Sequence, residues 1–396
     1  MPEEKRTGRL TGFFDVQLLF ITILLIGFGL VMVYSASSYS AALGKEGDSF
    51  LFLKRQLISV GVGTFTMIFA TIIPYKFYSK ICTPIYFAGI VFIVLLFFVG
   101  GEANGATRWL RIGSFSVQPS EICKLCTIVL VSTLVSKMGG KIRKSFKGYV
   151  FVMAPVLLYC LMILFISRNL SSAIIVGLIA VLMYMIAEKK NKWPAITLGA
   201  MFAVCAFITF LAANGWLPKK IGFRLERVMA WLDPYAYSDG RGMQIIQSLY
   251  GIGSGGIKGK GLGMSMQKLG WLPEANNDMI FAIICEELGI VGALAVLLMF
   301  AYMFYRIIDI ANHTKDYLAT LIVTGIFCHI SLQVILNICV VTNLIPNTGV
   351  PLPFISYGGT SIIILMTEIG ILLNIGMHAS LVEEETSVEQ ESTETN

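Results

Sequence analysis

Charge is scarce in this chain: Asp, Glu, Lys and Arg make up 14% of its 396 residues, against about 25% in an ordinary soluble domain. That scarcity, with 12% aromatic residues, excludes a disordered, solvated polymer. Histidine is rarer still, and the three present (His313, His329, His378) show no metal spacing and no Ser/His/Asp grouping. The eight cysteines all fall in or at the ends of apolar blocks and build no disulfide framework. Cys123 and Cys126 form a lone CxxC without a second pair, so a small-hydrophobe role outweighs zinc or redox chemistry. The net charge of +6 is no nucleic-acid signal, because the basic residues sit mostly in gaps between apolar blocks, where they orient a membrane protein. A cleavable signal peptide is not expected, since the first apolar block is long and lacks a small-residue cleavage site.

What the chain has in excess is apolar sequence, 56% of its residues, with a mean hydropathy of +0.76. A bilayer crossing takes roughly 20 mostly apolar residues, and ten such blocks occur, at 17–37, 56–74, 82–100, 119–136, 149–167, 170–187, 194–213, 278–305, 318–341 and 355–378. The expected fold class is therefore all-α: a polytopic integral membrane protein with about ten transmembrane helices. It divides into an N-terminal segment 1–16, a single membrane domain 17–378 and an acidic tail 379–396, expected to be disordered. Basic residues concentrate after even-numbered blocks, at Lys76 and Lys80, at Lys137, Lys141, Arg143, Lys144 and Lys147, and at Lys189, Lys190 and Lys192. The positive-inside rule then places both termini in the cytoplasm.

Two segments expected outside the cytoplasm break the pattern, GEANGATRWLRIGSFSVQ (101–118) and the connector 214–277 between the seventh and eighth helices. A connector of that length is functional or disordered. With Trp216, Phe223, Trp231, Tyr235, Tyr237, Tyr250 and Trp271 among its charges, it is expected to fold against the membrane. Function is expected on this side.

Several residues there could carry chemistry. Glu121 and Lys124 lie three apart on one helix face and can pair; an intramembrane ion pair is either a functional cavity group or a tie between helices. Arg108 and Arg111 flank Trp109 and suit either a phosphate or lipid headgroups. The glycine-rich run GIGSGGIKGKGLG (251–263) lacks the GxxxxGK[ST] pattern, so a bent re-entrant or surface loop is favoured over a nucleotide loop. In QKLGWLPEANNDMIFAIICEELG (267–289), Asp278 is either an N-terminal cap or a general base raised by partial burial. Glu287, nine residues on and about 13 Å away along a straight helix, cannot form a carboxylate pair with it. The stretch IPNTGVPLPFISYGGT (345–360) is expected to line the outer vestibule.

The stretches GATRWLRIG (105–113), QPSEICK (118–124), DPYAYSDGRGMQIIQS (233–248), GSGGIKGKGLGMS (253–265), LPEANND with IFAIICEELG (272–289) and TGVPLPFISYGGTS (348–361) together resemble the SEDS family (shape, elongation, division and sporulation) of peptidoglycan glycosyltransferases. GLGMSMQKLGWLPE is similar to the FtsW and SpoVE branch more than to RodA. The resemblance implies a ten-span enzyme that polymerises lipid II into β-1,4 glycan on the outer face of the bacterial cytoplasmic membrane, at the septum, with inversion and release of undecaprenyl diphosphate. It implies Asp278 as the catalytic carboxylate, and Arg108, Glu121, Lys124, Lys268, Glu274 and Ser356 as substrate-binding residues. Arg108, Lys124, Lys268 or a divalent cation (Mg or Mn) is expected to stabilise the leaving diphosphate. The implied partners are a class B penicillin-binding protein and other divisome proteins. The chain departs from the family pattern at Asn276 and Asn277, where a His and a Thr or Ser are usual, and at Asn169, where an Asp is common. A lipid II flippase and a non-catalytic divisome scaffold are the rival readings.

Overall fold

The computed structural model describes residues 14–44, 47–103, 106–112, 115–188, 190–214 and 223–394. Its helices are α1 (Val16–Ala42), α2 (Leu51–Ile72), α3 (Tyr75–Lys80), α4 (Cys82–Val99), α5 (Pro119–Lys137), α6 (Gly140–Arg143), α7 (Phe146–Phe165), α8 (Leu170–Ala187), α9 (Trp193–Ala213), α10 (Phe223–Leu232), α11 (Arg241–Gly255), α12 (Ile280–His313), α13 (Tyr317–Val341) and α14 (Gly359–Glu394). Among the described residues nine helices are long and apolar enough to cross a bilayer, and Cys82–Phe98 is a shorter apolar helix. Together they coincide with the ten apolar blocks of the sequence.

Helix starts follow local chemistry. Asp15 Oδ1 accepts the Leu18 N–H at 2.8 Å, Asn169 Oδ1 that of Ser172 at 3.1 Å, and Asp316 Oδ1 that of Leu318 at 3.0 Å, each satisfying a donor the first turn leaves over. Asn169 therefore has a capping task, which an Asp could equally perform. In the membrane the helices pack where small residues let backbones approach. A Cβ on Gly370 of α14 would overlap the Met67 carbonyl of α2, and Asn374 Nδ2 bonds the Thr71 carbonyl at 2.8 Å across the same seam. The last helix runs on through the acidic segment to Glu394, where the sequence suggests an unstructured tail.

One element is not helical. The described residues of segment 101–118 form an antiparallel sheet, β1 (Gly100–Ala103), β2 (Ala106–Ile112) and β3 (Phe115–Val117), with Leu110 opposite Val117 and Gly101 opposite Trp109. Its β-forming residues have no apolar block of their own, so hydropathy reads them only as a connector. The Gln118 N–H bonds Thr360 Oγ1 at 3.1 Å, and Thr360 Oγ1 donates to the Ser116 carbonyl at 2.9 Å. The sheet, the start of α5 and the start of α14 thus meet at one end of the bundle, the strand-bearing end.

Helix α12 is broken. Gly289 has φ 67° and ψ −165°, so the half-helix Ile280–Leu288 and the long helix after it have different directions. From the turn between α12 and α13, Gly289 stands about 36 Å away and Asn337 about 30 Å away at 1.5 Å per residue. Asn337 Nδ2 bonds the Asp278 carbonyl at 2.7 Å. Asp278 therefore lies no farther out than Gly289, whereas a straight helix would carry it about 16 Å beyond. The half-helix lies across the bundle.

Candidate active site

Asp278 ends a tight turn. Glu274, at φ 56°, accepts the N–H groups of Asn277 (3.0 Å) and Met279 (3.3 Å) on its carbonyl, folding the chain back just before α12. The N-cap of α12 is Met279, with no side-chain capping bond. The capping role open to Asp278 from sequence is thus not taken up, and its carboxyl is left for other work.

The surroundings of that carboxyl come from four separate segments. Gln244 of α11 offers Nε2 to Asp278 Oδ1 at 3.5 Å, a long contact. Gln244 Oε1 accepts from Asn347 Nδ2 at 2.7 Å, and the Asn347 carbonyl accepts from Arg227 Nη1 of α10 at 3.2 Å. Gly349 passes close enough that a Cβ there would stand 3.5 Å from Asp278 Oδ2. Asn337 of α13 grips the Asp278 and Val350 carbonyls at 2.7 and 2.8 Å. Burial pushes the Asp278 carboxyl up to about 7, and the neighbouring Glu274 adds to the rise. A bond from the residue's own backbone and the Arg227 guanidinium work the other way. A carboxyl poised near neutrality matches the working range of a general base.

The residues expected from sequence divide into two groups. Glu274 stands four residues before Asp278 and acts on it electrostatically. Ser356 is near but occupied: its Oγ donates to the Asn277 carbonyl at 2.6 Å and accepts the Leu352 N–H at 2.8 Å. It clamps the 345–358 loop onto the Asp278 turn. Tyr357 N–H bonds the Asn276 carbonyl at 2.9 Å, so at this atypical position the backbone is what the fold uses. Glu121 and Lys124 pair at 2.7 Å, almost wholly buried at the start of α5, beneath the β3–Thr360 junction. Arg108 is half-buried on β2 beside buried Leu110; the Arg111 side chain lies outside the described residues.

Lys268 departs from expectation. Its Nζ bonds Glu287 Oε1 at 2.9 Å and Ser35 Oγ at 3.0 Å, and its side chain is 6% exposed. A lysine so committed is no ready diphosphate ligand. Among the described residues no three His, Cys, Asp or Glu side chains gather as a metal site. Asp278 and Glu274 alone, with a guanidinium beside them, do not make up a divalent-cation ligand set, so no step below runs through a metal.

Sequence reasoning missed Arg227, Gln244, Asn337 and Asn347. Asn337 carried a usable signal. With His329 and Gln333 it forms a fully buried polar stripe at four-residue spacing in an apolar helix, and polar groups at such positions are costly unless they have a task. The other three lie in long connectors, where no periodicity marks them.

Fold and site together define a polytopic membrane protein with a buried carboxyl at the strand-bearing end, between a re-entrant half-helix and two long connectors. A family model described as "Cell cycle protein", named for FtsW, RodA and SpoVE, matches residues 16–381, and the chain belongs to that family. Stage V sporulation protein E of Bacillus subtilis (strain 168) is 37% identical over 370 residues, covering 92% of this chain and 97% of its own length. The "Probable peptidoglycan glycosyltransferase FtsW" of Geobacter metallireducens is 36% identical over 364 residues, covering 91% and 94%. Among solved structures, a chain from work described as "Structural coordination of polymerization and crosslinking by a peptidoglycan synthase complex" aligns with a TM-score of 0.74 at 22% identity, covering 93% of this chain and 98% of its own. Thermus thermophilus RodA aligns with a TM-score of 0.63 at 21% identity, covering 92% and 97%. At those identities the structures speak for the fold.

Proposed function

We propose that this chain is a peptidoglycan glycosyltransferase that polymerises lipid II into β-1,4 glycan at the outer face of the cytoplasmic membrane, with Asp278 as its general base. The observation that carries the reading is a buried carboxyl, pushed up to about 7 and not used as a helix cap, held where four segments meet at one end of the helix bundle. The relatives' names give the reaction class. Orientation follows from charge: the lysine-rich connectors after the even-numbered membrane helices lie at the opposite end, which the positive-inside rule assigns to the cytoplasm together with both termini.

A sugar hydroxyl is a weak nucleophile. Asp278 takes the proton from GlcNAc O4 of the acceptor as O4 bonds to MurNAc C1 of the lipid-linked donor. The bond from C1 to phosphate breaks, its electron pair leaves with undecaprenyl diphosphate, and the α anomer becomes β. A positioned base contributes about 10²–10⁴-fold. The diphosphate asks for positive charge rather than a strong acid. The reading gives that task to Arg227, whose charge acts on the carboxyl, and to Arg108 on β2, in preference to Lys268. Glu121 and Lys124 form the buried polar floor under the Thr360 junction. The synthase complex among the structural neighbours supports a class B penicillin-binding protein as partner, with other septal division proteins around it.

The test is lipid II polymerisation by the purified full chain in lipid nanodiscs, alone and with its transpeptidase. Parent protein is expected to form glycan and Asp278→Ala to form none above background. An Asp278→Ala protein that polymerises at the parental rate refutes the assignment.

A further inference from the structure

The break at Gly289 frees four backbone groups, and their partners come from the glycine-rich segment. Lys260 N–H bonds the Glu286 carbonyl and Gly261 N–H the Glu287 carbonyl, both at 2.9 Å. On the far side of the break, Ile290 N–H bonds the Gly256 carbonyl at 3.0 Å and Val291 N–H the Ile257 carbonyl at 3.3 Å. Bare peptide groups at membrane depth are strongly disfavoured, so this loop makes the break tolerable. The glycines are the condition for it. A Cβ on Gly255 would overlap the Cys285 carbonyl, one on Gly259 the Glu287 carbonyl, and one on Gly289 the Gly259 amide and Ile257 carbonyl. Gly259 and Gly289 also have positive φ, 78° and 67°, a region side chains disfavour.

Charged side chains secure the same junction. Glu286, wholly buried, accepts from Lys260 Nζ at 2.6 Å, from Ser265 Oγ, and from the Met266 and Gln267 N–H groups at 3.1 and 3.2 Å. Glu287, also wholly buried, accepts from Lys268 Nζ at 2.9 Å and from Ser35 Oγ of α1 at 2.7 Å. Buried ion pairs are weak stabilisers against apolar packing of the same shape, and their best-attested use is to select one arrangement among several. Here the arrangement is the angle of Ile280–Leu288. The start of the half-helix, next to Asp278, stands about 13 Å from the pivot, so a 10° swing displaces that end by about 2 Å. Displacements of about 1 Å already cost reaction rate.

We propose that Lys260, Lys268, Glu286 and Glu287 are positioning residues for Asp278, which with segment 256–268 splice the broken α12 and fix the half-helix across the bundle. The proposal rests on the reading of Asp278 as the base. It makes Lys268 a strut and gives the glycine run a task in the reaction without contact with substrate.

The experiment compares the full chain in nanodiscs with Lys268→Met/Glu287→Gln, which removes the inner pair without stranding a charge, and with Lys260→Gln, whose lysine is partly exposed and leaves Glu286 its other donors. Rates of lipid II polymerisation are measured from pH 5.5 to 8.5. The double variant is expected to lose about tenfold in kcat with KM within about twofold, and Lys260→Gln about threefold. In both, the acidic limb of the profile moves to lower pH as the displaced carboxyl meets water. Around Asp278 the charged groups are Glu274 in its own turn and Arg227 on α10; α11, α13 and the 345–350 loop present Gln244, Asn337 and Asn347, which do not titrate. A mere loss of folded protein lowers the rate and leaves that limb in place. Parental kcat and an unmoved limb in either variant, purified as a single folded species, overturn the proposal. Asp278→Asn runs alongside: if it polymerises normally, the catalytic reading falls; if it is inactive while both other variants match the parent, this inference falls alone.

Discussion

The half-helix Ile280–Leu288 has carboxylates at both ends, and their surroundings are opposite. At the Gly289 end, Glu286 and Glu287 are 0% exposed and their oxygens are taken by two lysines, three serine hydroxyls and backbone N–H groups. At the other end, Asp278 is 8% exposed and receives a long 3.5 Å contact from Gln244. Burial is nearly the same, so burial does not separate the two. Partners do. A carboxylate surrounded by donors is fixed and spends its charge holding neighbours in place. One left short of them sits near neutrality, free to take up a proton and give it back.

The largest effects test that division directly. Asp278→Asn keeps shape and size, and is expected to lower polymerisation by about 10²–10⁴-fold, read from glycan length distributions at saturating lipid II. At the other end the damage is to the fold. Lys268→Met strands the buried Glu287 charge and is expected to cost about 3–5 kcal/mol, seen as a lower unfolding temperature in detergent. Adding Glu287→Gln is expected to restore most of that loss. Equal destabilisation by single and double variants would erase the distinction between a paired and an unpaired site.

A smaller effect concerns stability against pH. The folded pKa of Asp278 is raised from 3.8 to about 7. For an acid this means stability present below the unfolded value and lost as pH rises to the folded one. Asp278→Asn is therefore expected to melt above the parent at pH 8, with the gap closing toward pH 4. Identical melting shifts at both pH values would show that the carboxyl is not strained by its setting.

Among the described residues, the nine helices long enough to cross a bilayer and the shorter Cys82–Phe98 were legible because each is an apolar block, a signal that depends on the bilayer alone. Asp278 was legible as an alternative between cap and base, and the position of the Met279 cap removes only the first of the two. The break at Gly289 was not legible: Gly292 lies three residues on in the same apolar run, and nothing local tells the glycine at the pivot from the one inside a helix. Nor was the task of the 251–263 glycines, since the backbone they approach is 30 residues away in sequence. The partners of Lys268 were hidden for a related reason. Its partners, Ser35 of α1 and Glu287 of α12, lie 233 and 19 residues away in sequence, and no local pattern announces them.

The finest test lies within the reactive end, where Glu274 and Arg227 pull on the same carboxyl in opposite directions. A base must be ionised to act, so the rate is expected to rise with pH and level off above about 7, falling about tenfold per unit well below that. Removing the Glu274 charge (Glu274→Gln) makes the Asp278 anion easier to form, so the acidic limb moves down and activity at pH 6 rises about two- to threefold. Removing the Arg227 charge (Arg227→Gln) makes the anion harder to form, so the limb moves up and activity at pH 6 falls by a similar factor. The two shifts are expected to cancel largely in the double variant, because both act through one titrating group. Shifts of the same sign would mean that the limb reports some other residue, and Asp278 would lose its claim to the proton.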